Sequence, residues 1–124
     1  MQLVYVIVFV DDMSAGVSFY RETLRLPLRF SSPHWSEFDT GATTLALHPS
    51  SRENPAGTAQ LGFRVPDMAS CRTELERAGV KFTREPTAEH GVWLAEFMEP
   101  AGMRFSLSAP AAPEAAYRPD SGDI

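Results

Sequence analysis

Val10-Asp11-Asp12-Met13 recurs 55 positions later as Val65-Pro66-Asp67-Met68, and this repeat constrains the fold more than any other feature of the chain. Each copy follows a β-rich run, Leu3–Val10 in the first and Gln60–Val65 in the second. Each copy also precedes a helical stripe. Met13, Val17, Tyr20 and Leu24 share one face of the first helix; Met68, Cys71, Leu75 and Ala78 share one face of the second. Asp12 and Asp67 stand at the N-cap, where a carboxylate accepts backbone N–H groups and meets the positive helix end. Pro27 stops the first helix and Gly79 the second.

Three short β segments follow each helix. They are Leu28–Ser31, Trp35–Asp39 and Thr43–His48 in the first copy, and Val80–Arg84, Val92–Met98 and Met103–Ser108 in the second. Gly41 and Pro100-Ala101-Gly102 turn the last pair of each set. The pattern predicts an α+β chain of two βαβββ modules, residues 1–48 and 60–108, joined by a Pro/Ser/Gly-rich linker over 49–59. Residues 109–124 are rich in Ala, Pro, Asp and Glu and read as a poorly ordered tail, where Tyr117 could still dock.

Composition narrows the function classes. Of 124 residues, 44% are apolar, enough for a real core. The net charge is −5 and no basic block occurs, which argues against a nucleic-acid partner. The apolar run Leu3–Val10 is too short for a membrane span and lacks a basic flank, so no membrane partner is expected. A single cysteine, Cys71, excludes an intrachain disulfide and suits the cytoplasm. Cys71 lies on a helix stripe and reads as a small buried hydrophobe. His34 and His90, beside Pro33 and Gly91, read as surface residues. No Ser/His/Asp arrangement, Walker-type loop or Cys/His zinc spacing is present.

Several segments resemble the vicinal oxygen chelate superfamily, which includes glyoxalase I, bleomycin-resistance proteins and extradiol dioxygenases. They are Val10–Met13 with Ser18-Phe19-Tyr20-Arg21 and Leu26-Pro27-Leu28, then Phe38-Asp39-Thr40-Gly41, Leu45-Ala46-Leu47-His48 and Glu99-Pro100-Ala101-Gly102-Met103. Leu26 stands at the family's usual glycine site. The resemblance covers roughly residues 3 to 108 and implies a curved, cup-like mixed sheet, often completed by pairing two chains, hence a homodimer. It also implies four cavity positions, here Tyr5, His48, Gln60 and Ser106. That set holds no carboxylate, so no metal or other cofactor is expected; the alternative is a divalent metal at His48 and Gln60.

Strand alternation extends the candidate ligand surface. Tyr5, Ile7 and Phe9 share a face of one strand, Gln60, Gly62 and Arg64 a face of its counterpart, and Arg104 joins Ser106. Trp35 and Trp93, opening equivalent strands, are candidate aromatic walls or core residues. Arg64 and Arg104 are candidate partners for an anionic group. Two functions follow from the resemblance. One is metal-free binding of a compact aromatic or apolar molecule, as in bleomycin-resistance proteins. The other is a glyoxalase-like lyase or isomerase with a weak metal site or with His48 as general base.

Overall fold

The computed structural model describes residues 1–111. The element order is β1 (Gln2–Val10), α1 (Met13–Ser18), a π-helical turn (Phe19–Thr23), β2 (Leu28–Ser31), β3 (Ser36–Asp39), β4 (Thr44–Pro49), β5 (Ala59–Arg64), α2 (Met68–Arg77), β6 (Phe82–Glu89), β7 (Val92–Met98) and β8 (Arg104–Pro110). The chain is α+β and repeats βαβββ twice. It divides into two compact units, Leu3–Leu61 and the residues from Gly62 onward with Met1–Gln2, the division falling inside β5. Strand order is β2-β3-β4-β1 for the first module and β6-β7-β8-β5 for the second, the same arrangement twice. No described helix is long and apolar enough to cross a membrane.

In the first unit β1 and β4 run parallel, with Ile7 opposite Ala46 and Phe9 opposite His48. β3 runs antiparallel to β4, with Glu37 opposite Ala46 and Phe38 opposite Leu45. One face of this sheet takes α1. Ser36 Oγ lies 3.3 Å from Met13 Sδ, the Tyr20 and Phe38 rings are 5.7 Å apart, and Phe38 and Leu47 are fully buried. Gly16 lets the helix come this close, since a Cβ there would stand 3.2 Å from Leu47 Cδ1 and 3.3 Å from Val10 Cγ1. Strand alternation then sends Tyr5, Ile7, Phe9, Glu37, Ala46 and His48 to the opposite face.

Both aspartates cap as expected. Asp12 Oδ1 accepts from Ala15 N at 3.0 Å, and Asp67 Oδ1 accepts from Ala69 N at 3.2 Å. α2 closes with two backbone bonds, Gly79 N to Glu76 O at 3.0 Å and Val80 N to Leu75 O at 2.9 Å, with Gly79 left-handed at φ +91°. The second unit's core holds Val65, Met68, Ala95, Phe97, Leu107 and Ala109, against which Cys71, Leu75, Val80 and Trp93 pack.

Besides one-residue shifts, such as Trp35 falling just before β3, three boundaries differ in ways that have a physical reason. The first helix does not stay α-helical to Leu24: the bond from Leu24 N to Phe19 O (3.1 Å) spans five residues. Leu26 precedes a proline and is disfavoured in the helical region, so the exit falls one residue earlier, on Arg25 at φ +61°. The left-handed residue at this exit is Arg25, one position before Leu26. β6 starts later than Val80–Arg84 and runs on through Pro86. Proline is tolerated there because β6 ends its module's strand order and its pairing with β7 is broken by register shifts between Phe82 and Thr87. Ala109 does not open a tail: it lies inside β8 and is 1% exposed. The rest of the expected tail, from residue 112 and including Tyr117, lies outside the described residues.

Candidate functional site

The face of the first unit opposite α1 carries a ring cluster. The Tyr5 and Trp35 rings meet edge-on at 5.6 Å and 77°. His48 lies 6.2 Å from Trp35 at 82° and 5.6 Å from Phe9 at 68°. Ile7, Phe9 and Ala46 are buried beneath, and Tyr5 and Trp35 pack on them. The turn between β2 and β3 fixes the indole: Ser32 Oγ accepts from His34 N at 3.2 Å and Trp35 N at 3.1 Å.

A carboxylate that sequence reasoning did not select organises this cluster. Glu37 Oε2 accepts from Trp35 Nε1 at 2.7 Å and from Tyr5 Oη at 3.5 Å. Its Oε1 accepts from Arg29 Nη1 at 3.3 Å. Arg29 also donates to Thr44 Oγ1 at 2.9 Å and pairs with Asp39 at 3.5 Å. A signal for Glu37 exists in the repeat, because Ser36-Glu37-Phe38 parallels Ala95-Glu96-Phe97.

His48 is exposed, and its Nδ1 lies 2.8 Å from Pro49 O. A carbonyl only accepts, so Nδ1 carries the proton and Nε2 keeps its lone pair in the neutral ring. Gln60 is nearly fully buried at 4% exposure, and its Nε2 has no hydrogen-bond partner among the described residues. An unpartnered buried amide costs about 1–3 kcal/mol.

The structure brings Tyr5, Phe9, Trp35 and His48 together and puts Gln60 in the same unit. Arg64, Trp93, Arg104 and Ser106 belong to the second unit. Trp93 is half-buried and packs against the second unit's core, which holds Ala95, Phe97 and Leu107. Aligning the modules on Glu37 and Glu96 sets Leu94 against Trp35, and Trp93 leaves its strand by the other face. The expected match of His48 with Ser106 is likewise two residues out. Ala46 faces Glu37 and Ser106 faces Glu96, so Ala46 is the counterpart of Ser106, and His48 that of Ser108. Arg64 is exposed on β5. His34 and His90 are exposed. Cys71 packs partly into the second core, and burial, then the nearby Glu74 carboxylate, pushes its thiol pKa up, which keeps it protonated and unreactive near neutrality.

Residues 2–107 match the family described as the glyoxalase/bleomycin resistance protein/dioxygenase superfamily. The chain belongs to that superfamily. Its fold is similar to that of a superfamily member from Vibrio splendidus 12B01, with a TM-score of 0.67 at 11% identity over 87% of this chain and 97% of that one. It is also similar to methylmalonyl-CoA epimerase from Mycobacterium tuberculosis, with a TM-score of 0.70 at 18% identity over 89% and 88%. The Mn(II)-bound glyoxalase from Novosphingobium aromaticivorans matches with a TM-score of 0.64 at 21% identity, over 90% of this chain and 39% of that longer one. At these identities the likeness is one of fold. No curated protein matches the sequence.

The manganese in that glyoxalase raises the question of a metal in this superfamily member. The donors present do not fit one. No three His, Cys, Asp or Glu side chains gather into a metal-holding group among the described residues. Of the four positions considered as ligands, Tyr5 already donates to Glu37, His48 holds its Nδ1 against Pro49 O and has only Nε2 to offer, and Gln60 and Ser106 offer neutral oxygens. These four positions supply no anionic ligand, and the nearby Glu37 carboxylate is engaged by Tyr5, Trp35 and Arg29, so the set lacks the three strong donors that such sites use.

Proposed function

We propose that this superfamily member binds a compact aromatic or apolar small molecule on the Tyr5–Trp35 face, without a metal. The observation that carries this reading is the ring cluster of Tyr5, Trp35, His48 and Phe9, set edge-on over a buried apolar floor. A planar ligand inserted there gains about 0.5–1.5 kcal/mol per ring contact beyond area burial. Two or three such contacts with apolar burial reach the roughly 8 kcal/mol that micromolar binding requires. The test is calorimetric titration with planar aromatic compounds on wild type and Trp35→Ala. The expected result is saturable binding that the variant loses. Equal binding by a folded Trp35→Ala chain would overturn the reading.

A second reading is favoured by one observation, the tautomer of His48. With Nδ1–H held by Pro49 O, Nε2 is set to take a proton from a ligand carbon beside a carbonyl, as a glyoxalase-like isomerase or lyase requires. Proton exchange of α-hydroxyketones in deuterated water, followed by NMR and lost in His48→Gln, would support it. Exchange at the buffer rate would remove it. We also take the chain to be a cytoplasmic homodimer, so light scattering should give about twice the 13.7 kDa chain mass.

A further inference from the structure

We propose that Glu37 is the specificity-determining residue of the ring cluster and that it selects cationic or electron-poor planar ligands against anionic ones. The inference rests on the binding reading above and adds the ligand's charge class. Trp35 Nε1 donates to Glu37 Oε2 at 2.7 Å, a charge-assisted bond. Such a bond pushes electron density into the indole and strengthens the negative potential of its ring faces, the part of the ring that attracts cations. Tyr5 Oη donates to the same oxygen, at 3.5 Å, so one carboxylate polarises both rings.

The charges around the rings point the same way. Glu37 and Asp39 share one guanidinium, Arg29, at 3.3 Å and 3.5 Å. Within the described ion pairs of the first unit, two carboxylates share this one cation, an excess of negative charge. The Glu37 side chain is only 18% exposed, so water screens its charge incompletely. The Arg29 charge is already shared among Glu37, Asp39 and Thr44, so it offers a ligand carboxylate little uncompensated positive charge. The proposed charge class differs from the anionic group for which Arg64 and Arg104 are candidate partners.

Three planar probes of similar size test it by calorimetry on the full chain: N-methylquinolinium chloride, quinoline at a pH where it is neutral, and 2-naphthoate. Wild type should bind the cation about ten-fold more tightly than the anion, with the neutral ring between. Glu37→Gln should keep the neutral probe's affinity within about three-fold and bring the cation-to-anion ratio near one. A role limited to holding Trp35 in place would instead weaken all three probes alike. Asp39→Asn leaves the Trp35 hydrogen bond in place and should lower the ratio about three-fold, which keeps the test open if Glu37→Gln fails to fold. Equal binding of the three probes by wild type, tighter binding of the anion, or an unchanged ratio in both variants would overturn the proposal. Absence of binding by any probe would overturn the aromatic-face reading as well.

Discussion

Ligand quenching should report from Trp35 and not from Trp93. The first indole stands in the ring cluster beside Tyr5 and His48, while the second packs on Ala95, Phe97 and Leu107. In single-tryptophan chains, a planar probe should quench Trp93→Phe, which keeps Trp35, and leave Trp35→Phe unchanged. Quenching of the Trp35→Phe chain would place a ligand in the second unit. Trp93→Ala should also cost about 2–4 kcal/mol in a denaturant melt, because it opens a cavity in that core. The two residues look equivalent in sequence because each stands at the head of its β segment. Period-two alternation makes one residue of offset decisive, and the Glu-Phe pairs, not the tryptophans, hold the true register. Glu37 escaped selection for a related reason. Its importance lies in three partners, Arg29, Tyr5 and Trp35, of which Tyr5 is 32 residues away, and no local pattern encodes that meeting.

Among the elements, the two helices were legible at their starts, where local chemistry decides. Asp12 and Asp67 each accept a backbone N–H of the first helical turn, as their positions before an apolar stripe implied. Asp67→Ala should therefore lower stability by about 1 kcal/mol, read as a shifted denaturation midpoint at constant slope. The end of the first helix was not legible, because nothing in its composition separates a π turn from an α turn. Its exit places Arg25 in the left-handed region, where a side chain costs roughly 1–2 kcal/mol that glycine does not. Arg25→Gly should raise the thermal midpoint by a few degrees, the gain trimmed by the looser unfolded chain. A lower midpoint would mean that the Arg25 side chain contributes a contact worth more than the strain.

For the whole molecule, the doubled βαβββ plan could be read from sequence because patterning, caps and turns agree in both copies. The correspondence of single positions between the two copies is harder to read. The offset between copies is 55 at β1 and β5, but 59 at β3 and β7 and 60 at β4 and β8, as the strand registers require. A single offset cannot follow that drift, which is why His48 was matched to Ser106. One further property of the molecule comes from β6. Its ladder is interrupted twice, and Pro86 has no backbone N–H to donate. A strand of this kind is a poor template for a neighbouring molecule's backbone, so it protects the protein against open-ended fibre growth. Pro86→Val should leave the native melt nearly unchanged but shorten the lag of thioflavin-positive aggregation in concentrated, gently heated solution. An unaltered lag would assign that protection to the register breaks alone.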